Sequence, residues 1–303
     1  ASIVPLFFSS PLLGFLCWCM MATLKELEEK YLIGTSLTRE VARIQGNNDQ
    51  LLLSFSTGKD CLAAWLAVRD EFKEIIPFYL YLVPDLEFVD ESLAFYEKML
   101  GIHIVRLPAP QLYGMLNDLV FQPPERIETI FSCNFPKFGY PEVREILIED
   151  YGLNKNIFYA TGVRAPDSPM RMTALSKYGP ITHSQNKFHP VWNWTKAKLV
   201  EELKKHKIKL PIDYKLFSRS FDGLDLRFLF QIKKHLPRDF EKIIQWFPLV
   251  ELEISRYEFF LRNKERGRLR GLGADEQLVF QRLVDMKSDF DYYASPKHKL
   301  KFG

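Results

Sequence analysis

The chain has 303 residues, 47% of them hydrophobic and 14% aromatic, and a formal net charge of only +3. That content suits one large globular domain, alone or with a helical appendage, and needs no disulfide staples. Cys17, Cys19, Cys61 and Cys133 stand at unrelated spacings, so no disulfide framework is legible and a reducing, cytoplasmic setting is expected.

Residues 1–24 carry no charge and include two apolar runs. They lack the basic n-region and cleavage site of a signal peptide, and Pro5, Pro11 and Gly14 interrupt any membrane span. Met20-Met21-Ala22-Thr23-Leu24 reads like an ordinary cytosolic start. Residues 1–20 are therefore read as an apolar leader, upstream of or foreign to the functional domain, with a membrane anchor as the alternative. Stable membrane association is not expected.

Residues 24–45 read as helical, with Leu24, Leu27, Tyr31 and Leu32 at helical spacing. Strand-like runs then alternate with helical ones. Strands are predicted at 51–55, 75–83, 102–107 and 157–161, and helices at about 61–73, 89–100 and 141–151. This is the alternation of a parallel α/β sheet of Rossmann-like type, with helices on both faces. The proline-rich stretch 108–140 reads either as a long lid or substrate loop or as a pair of short helices. From 195 onward the pattern is helical almost throughout, with Asp222, Pro237 and Pro248 as start and stop signals. Arg262, Lys264, Arg266, Arg268 and Arg270, opposed only by Glu265, form a basic run, and Lys297, Lys299 and Lys301 make a basic tail. A solvated helix end explains that run; contact with nucleic acid is the functional alternative.

Between the run Leu51-Leu52-Leu53 and the helix former Leu62-Ala63-Ala64-Trp65 lies SFSTGKDC, residues 54–61. A strand, a small-residue loop and a helix start make an anion site, because unpaired loop and helix N–H groups converge where the helix dipole is positive. The plain alternative is a strand-to-helix turn with Asp60 as N-cap. The segment is not a Walker A loop, since Leu53 and Asp60 occupy the positions that need Gly and Ser or Thr. A second stretch, TGVRAPDSPMR from Thr161 to Arg171, follows the last predicted strand. Gly162 permits close backbone approach, and Arg164 and Arg171 are planar donors suited to phosphate or sulfate. The alternative is a solvated loop whose arginines pair with Asp167. As loop charges, Lys59 and Arg164 are expected to act on a reaction more than on the fold.

Together these motifs resemble the PP-loop of the ATP pyrophosphatases and the phosphoadenosine phosphosulfate (PAPS) reductase family. Ser56, Gly58 and Asp60 match S-G-G-x-D-S, while Thr57 and Cys61 depart from it; Gly162, Arg164, Ser168 and Arg171 match G-x-R-x-x-E-S-x-x-R, with Asp167 for Glu. Pro190, Trp194, Thr195, Leu210 and Pro211 are similar to the family's P-[LI]-x-x-W-T segment and following L-P turn. The resemblance spans about residues 48–214, and implies a nucleotide-binding domain at 21–214 with a helical C-terminal extension at 215–303.

The resemblance implies ATP, or PAPS, bound by Ser54, Ser56, Thr57, Gly58, Lys59, Asp60 and Cys61, with adenine and ribose near Val83 to Asp85 and Gly162. Arg164, Asp167, Ser168 and Arg171 would complete the site. In the superfamily's commonest chemistry a substrate oxygen attacks the α-phosphorus of ATP and pyrophosphate leaves. Lys59, Arg164 and Arg171 would then stabilise phosphate charge, and Asp60 would hold Mg²⁺. The reductases' C-terminal cysteine motif is missing, and Cys133 alone cannot supply an iron–sulfur cluster, so none is expected. Cys133 is read as a buried, inert thiol, with a lone redox residue as the alternative. The chain thus resembles the largely phage-associated branch that lacks the redox residues. Two alternatives stay open: a thiol-dependent sulfonucleotide reductase, and a non-catalytic nucleotide-sensing or nucleic-acid-associated module. The acceptor is not legible, nucleic acid being one candidate, and an oligomer is compatible with the sequence. His183 and His189 lack companions for a metal site, and His189 reads as structural.

Overall fold

The computed structural model describes residues 22–46 and 49–265. The leader, the tail lysines and residues 266–270 of the basic run lie outside the described residues. The helices are α1 (Leu24–Lys30), α2 (Gly34–Ile44), α3 (Lys59–Val68), α4 (Glu87–Leu100), α5 (Pro110–Asn117), α6 (Ile127–Cys133), α7 (Tyr140–Tyr151), α8 (Pro169–Tyr178), α9 (Lys196–Lys205), α10 (Ile212–Phe217), α11 (Leu226–His235), α12 (Pro237–Trp246) and α13 (Val250–Glu265). The strands are β1 (Gln50–Ser54), β2 (Glu74–Tyr81), β3 (Val105–Pro108), β4 (Tyr159–Ala160), β5 (Ile181–Thr182) and β6 (Lys187–Phe188). They form a six-stranded sheet in the order β3-β2-β1-β4-β6-β5. β1 with β4, β2 with β3 and β4 with β6 are parallel, and the β5–β6 pair is antiparallel. The fold is α/β and Rossmann-like. No described helix is long and apolar enough to cross a membrane.

Two compact units are distinguished. The first comprises described residues of 22–53, 60–75 and 156–206. Its centre is β1, whose Leu51, Leu52 and Leu53 are fully buried, as expected of a strand covered on both faces. Leu52 is in register with Tyr159 and Leu53 with Ala160, so β1 and β4 end side by side. Buried Gln45 ties the end of α2 to both strands, donating to Gln50 O at 2.8 Å and accepting from Phe158 N at 3.0 Å. The helix expected over 24–45 is broken at Tyr31 to Ile33. Trp192 Nε1 donates to Leu32 O at 3.0 Å, and Tyr31 Oη donates to Ser176 O at 3.1 Å. These partners are distant in sequence, so local periodicity does not reveal the break.

The second unit comprises described residues of 54–59, 76–155 and 207–265. It holds most of β2, all of β3 and the C-terminal helices. Asp239 at the start of α12 caps α4 from outside, accepting from Glu87 N at 2.5 Å and Phe88 N at 3.3 Å. Gly101, left-handed at φ 65°, closes the other end of α4. Phe88, Phe217, Phe221 and Phe228 pack edge to face with centroids 5.1 to 6.0 Å apart. The stretch 108–140 holds two short helices, α5 and α6, rather than one long loop. Cys133, expected to be buried, is exposed at the end of α6.

Candidate active site

The first motif occupies the end of β1, a tight loop and the first turn of α3. Ser54 ends the strand and is half-buried, Ser56 is exposed, and Thr57 and Gly58 are buried. Thr57 is left-handed at φ 56°, a conformation that a β-branched residue adopts only under constraint. It stands where the resembled motif has its first Gly, and its φ lies in the region that glycine adopts most readily. Left-handed residues in such turns aim successive N–H groups at one point, the basis of anion-binding nests. Thr57 Oγ1 donates to Ser56 O at 2.7 Å, directing the hydroxyl onto the loop's own backbone. The Lys59 backbone N–H donates to Tyr214 Oη at 2.9 Å. A Cβ on Gly58 would lie 3.0 Å from Ser220 Oγ. Tyr214 and Ser220 come from the C-terminal part of the chain, and sequence reasoning missed both. Asp85 is exposed and left-handed at φ 59°, and its carbonyl accepts from Lys242 Nζ at 2.6 Å.

The second motif lies in the first unit with Asp60 and Cys61. Gly162 follows β4 and runs so close to the first turn of α3 that a Cβ there would sit 2.5 Å from Asp60 C and O and 2.8 Å from Cys61 N. The close approach that glycine permits is therefore to the α3 backbone. Two residues on, Arg164 is buried with only 3% of its side chain exposed. Its Nε donates to Asp60 Oδ1 at 2.6 Å, its Nη1 to Trp194 O at 3.1 Å and its Nη2 to Asp167 Oδ1 at 3.1 Å. Ala165 N also donates to Trp192 O at 2.6 Å. One guanidinium thus ties together the loop–helix motif, its own motif and the Pro190–Thr195 segment. The expectation of an exposed loop charge does not hold for Arg164, because three partners surround it.

Asp167 also accepts from Arg171 Nη1, so both arginines pair with it as the solvated-loop alternative anticipates for the pair. Arg171 differs in being 43% exposed. Ser168 is the N-cap of α8, accepting from Arg171 N at 3.2 Å with Pro169 at the first helical position. The sequence reading missed α8 because its hydrophobic periodicity is weak, although the Ser-Pro start was there to be read. Cys61, in the first turn of α3, is 3% exposed, so the thiol packs inward.

Behind the end of β4, Thr161 Oγ1 and His189 Nδ1 are 2.7 Å apart. Burial, together with Lys187 and Arg171, lowers the His189 pKa to about 4, so the ring is neutral at physiological pH. The buried ring contacts Thr161 within the first unit.

Among the described residues no group of three or more His, Cys, Asp or Glu side chains is placed to hold a metal ion. Mg²⁺ bound with a nucleotide needs only one or two protein carboxylates, the phosphates supplying other ligands. Asp60 is the motif's carboxylate at the start of α3, and Arg164 engages its Oδ1. In the second unit a cleft of about 340 Å³ is lined by Leu82, Gln111, Gly114, Met115, Asp222 and Leu224, among others.

No family model matches the chain, and no curated protein matches it. Among solved structures it is similar to an NH3-dependent NAD synthetase from Campylobacter jejuni in complex with nitrate, at 13% identity over 83% of this chain and 100% of that one, with a TM-score of 0.38. It is also similar to a protein described as a predicted subunit of tRNA methyltransferase from Methanocaldococcus jannaschii, at 16% identity over 51% of this chain and 74% of that one, with a TM-score of 0.26. These likenesses are slight.

Proposed function

We propose that the protein is a PP-loop enzyme that binds ATP and cleaves it between the α- and β-phosphates, adenylating an acceptor and releasing pyrophosphate. The observation that carries this reading is the buried Arg164, which joins Asp60, Asp167 and the Trp194 carbonyl. Three stretches that resemble one family's nucleotide motifs are held by a single side chain, which an assembly of unrelated turns would not require.

On this reading the phosphates lie over residues 56–61, where the loop N–H groups and the α3 dipole favour negative charge. Lys59 and Arg171 supply the cations that meet charge growing on the phosphate oxygens as pyrophosphate leaves. Arg164 is a positioning residue: it holds Asp60 at the helix start, where one carboxylate oxygen would meet nucleotide-bound Mg²⁺. The magnesium would neutralise phosphate charge when bound. The acceptor oxygen attacks the α-phosphorus, the bond to the bridging oxygen breaks, and pyrophosphate carries that electron pair away. A second nucleophile then attacks the acceptor atom that bears the adenylated oxygen, the bond between them breaks, and AMP leaves with that oxygen and its electron pair. The cleft at Leu82, Gln111 and Met115 is large enough for a small acceptor.

The test is a product assay with ATP, Mg²⁺ and cell extract as acceptor source. AMP and pyrophosphate are expected, and stoichiometric ADP with orthophosphate would refute the reading. Lys59→Ala and Arg171→Ala should each slow turnover by roughly a hundredfold to a thousandfold while the protein stays folded.

A further inference from the structure

We propose that Tyr214 is a built-in placeholder on the anion loop: its hydroxyl holds the Lys59 N–H until a phosphate oxygen takes that hydrogen bond. The inference rests on the reading of residues 56–61 as the phosphate site. Lys59 opens α3, so its N–H is one of the helix donors without an intrahelical partner and one that a bound phosphate would use. In this structure that donor is given to Tyr214 Oη at 2.9 Å.

The segment that carries the phenol is held from several sides. Pro211 precedes the one-and-a-half turns of α10, and Tyr96 Oη donates to Lys209 O at 2.9 Å just before it. Asp213, 2% exposed, accepts from Phe221 N at 3.1 Å and from Ser92 Oγ at 3.4 Å. Phe217 packs against Phe88 and Phe228 at 6.0 and 5.1 Å. The segment 209–221 therefore presents Tyr214 to the loop, with Ser220 close against Gly58. A neutral phenol oxygen is a weaker acceptor than a phosphate oxygen, because hydrogen bonds to charged groups are shorter and about twice as strong. Phosphate thus displaces the hydroxyl, and the displaced phenol reports occupancy of the loop to the segment that carries it. Without the hydroxyl, the ligand no longer has to break a hydrogen bond to enter.

Titration calorimetry of the full chain with inorganic pyrophosphate, and separately with MgATP, tests this. Tyr214→Phe should bind pyrophosphate about two- to tenfold more tightly than wild type, the range of one neutral hydrogen bond. Tyr178→Phe, on an exposed tyrosine of α8, should bind as wild type does. In ¹⁵N-lysine-labelled protein the Lys59 amide resonance should move on adding pyrophosphate, and should start from a shifted position in Tyr214→Phe. Equal or weaker binding by Tyr214→Phe overturns the placeholder while leaving the anion-loop reading intact. Absence of binding by wild type and variant alike overturns both. If Tyr214→Phe does not fold, the wild-type amide decides, and a Lys59 resonance that stays still at saturating pyrophosphate refutes the proposal.

Discussion

Truncating Arg164 to alanine should damage the fold before it damages chemistry. The substitution removes three hydrogen bonds, two of them between a guanidinium and carboxylates. Removing one partner of a buried ion pair costs about 3–5 kcal/mol when the orphaned charge stays buried. Here the Asp60 and Asp167 side chains keep 26% and 33% exposure, so water recovers part of that loss. In the other direction, the change opens a hole where a side chain only 3% exposed had stood. The two corrections oppose each other, and the expected loss is about 3 kcal/mol, or roughly 6–12 °C in melting temperature for a unit of this size. Arg164→Lys keeps the charge but cannot bridge three partners, and should lose about half as much. Calorimetric and chemical unfolding of the full chain, with ATP binding measured well below both midpoints, provides the check. An alanine variant that melts within about 1 °C of wild type would refute the reasoning and return Arg164 to a solvated loop.

Gly162→Ala should fold poorly and lose nucleotide affinity, because its Cβ would sit 2.5 Å from backbone atoms of Asp60 that cannot swing aside; the cost is about 3 kcal/mol or more, and a variant as stable as wild type would contradict the close approach. Thr57→Gly should unfold within about 1 kcal/mol of wild type in denaturant titrations and keep ATP affinity, since the φ of 56° suits glycine; a loss above about 2 kcal/mol would mean that Thr57 packing outweighs its backbone strain. Stability should fall as pH drops from about 6.5 towards about 4, because over that interval the unfolded His189 binds a proton that the folded ring refuses. His189→Asn should flatten that part of the pH profile, and an unchanged slope would assign it to other groups.

The local parts of the fold were legible in sequence where one segment determined its own structure. The β1 run Leu51 to Leu53, the α4 and α7 patterns and the small-residue loop after β1 all fall where periodicity puts them. Predictions failed where a distant partner decided. Trp192 and Ser176 hold the break after α1, and hydrophobic periodicity over 24–45 does not show it, although Gly34 stands at the restart. β5 and β6 have two residues each, too short for any alternation, and exist because β6 pairs with β4. Helix α3 stops at Val68 rather than near 73, and Lys73 N and Glu74 N instead donate to Asp49 O at the start of β1. Tyr214 carries no motif at all, and only its place on α10 brings it to Lys59.

Arg164 shows why charge beside a strand end is an ambiguous sign. From sequence, Arg164 and Arg171 are equivalent donors flanking Asp167. The sheet order separates them, because β1 lies next to β4 although more than a hundred residues of chain come between. With Leu53 level with Ala160, the turn after β4 meets the first turn of α3, and Arg164 finds Asp60 there. Arg171, further along in the first turn of α8, keeps 43% of its side chain in solvent. Burial thus separates the two arginines of the motif, and they should fail differently. Arg164→Ala should lose stability and turnover together, and its turnover should recover in part with Arg164→Lys. Arg171→Ala should lose turnover at unchanged melting temperature, since its pairing with Asp167 is a surface one and contributes about 1 kcal/mol at most. If both variants lose stability alike, or if neither changes turnover, Arg164 and Arg171 do not divide the structural and electrostatic roles between them.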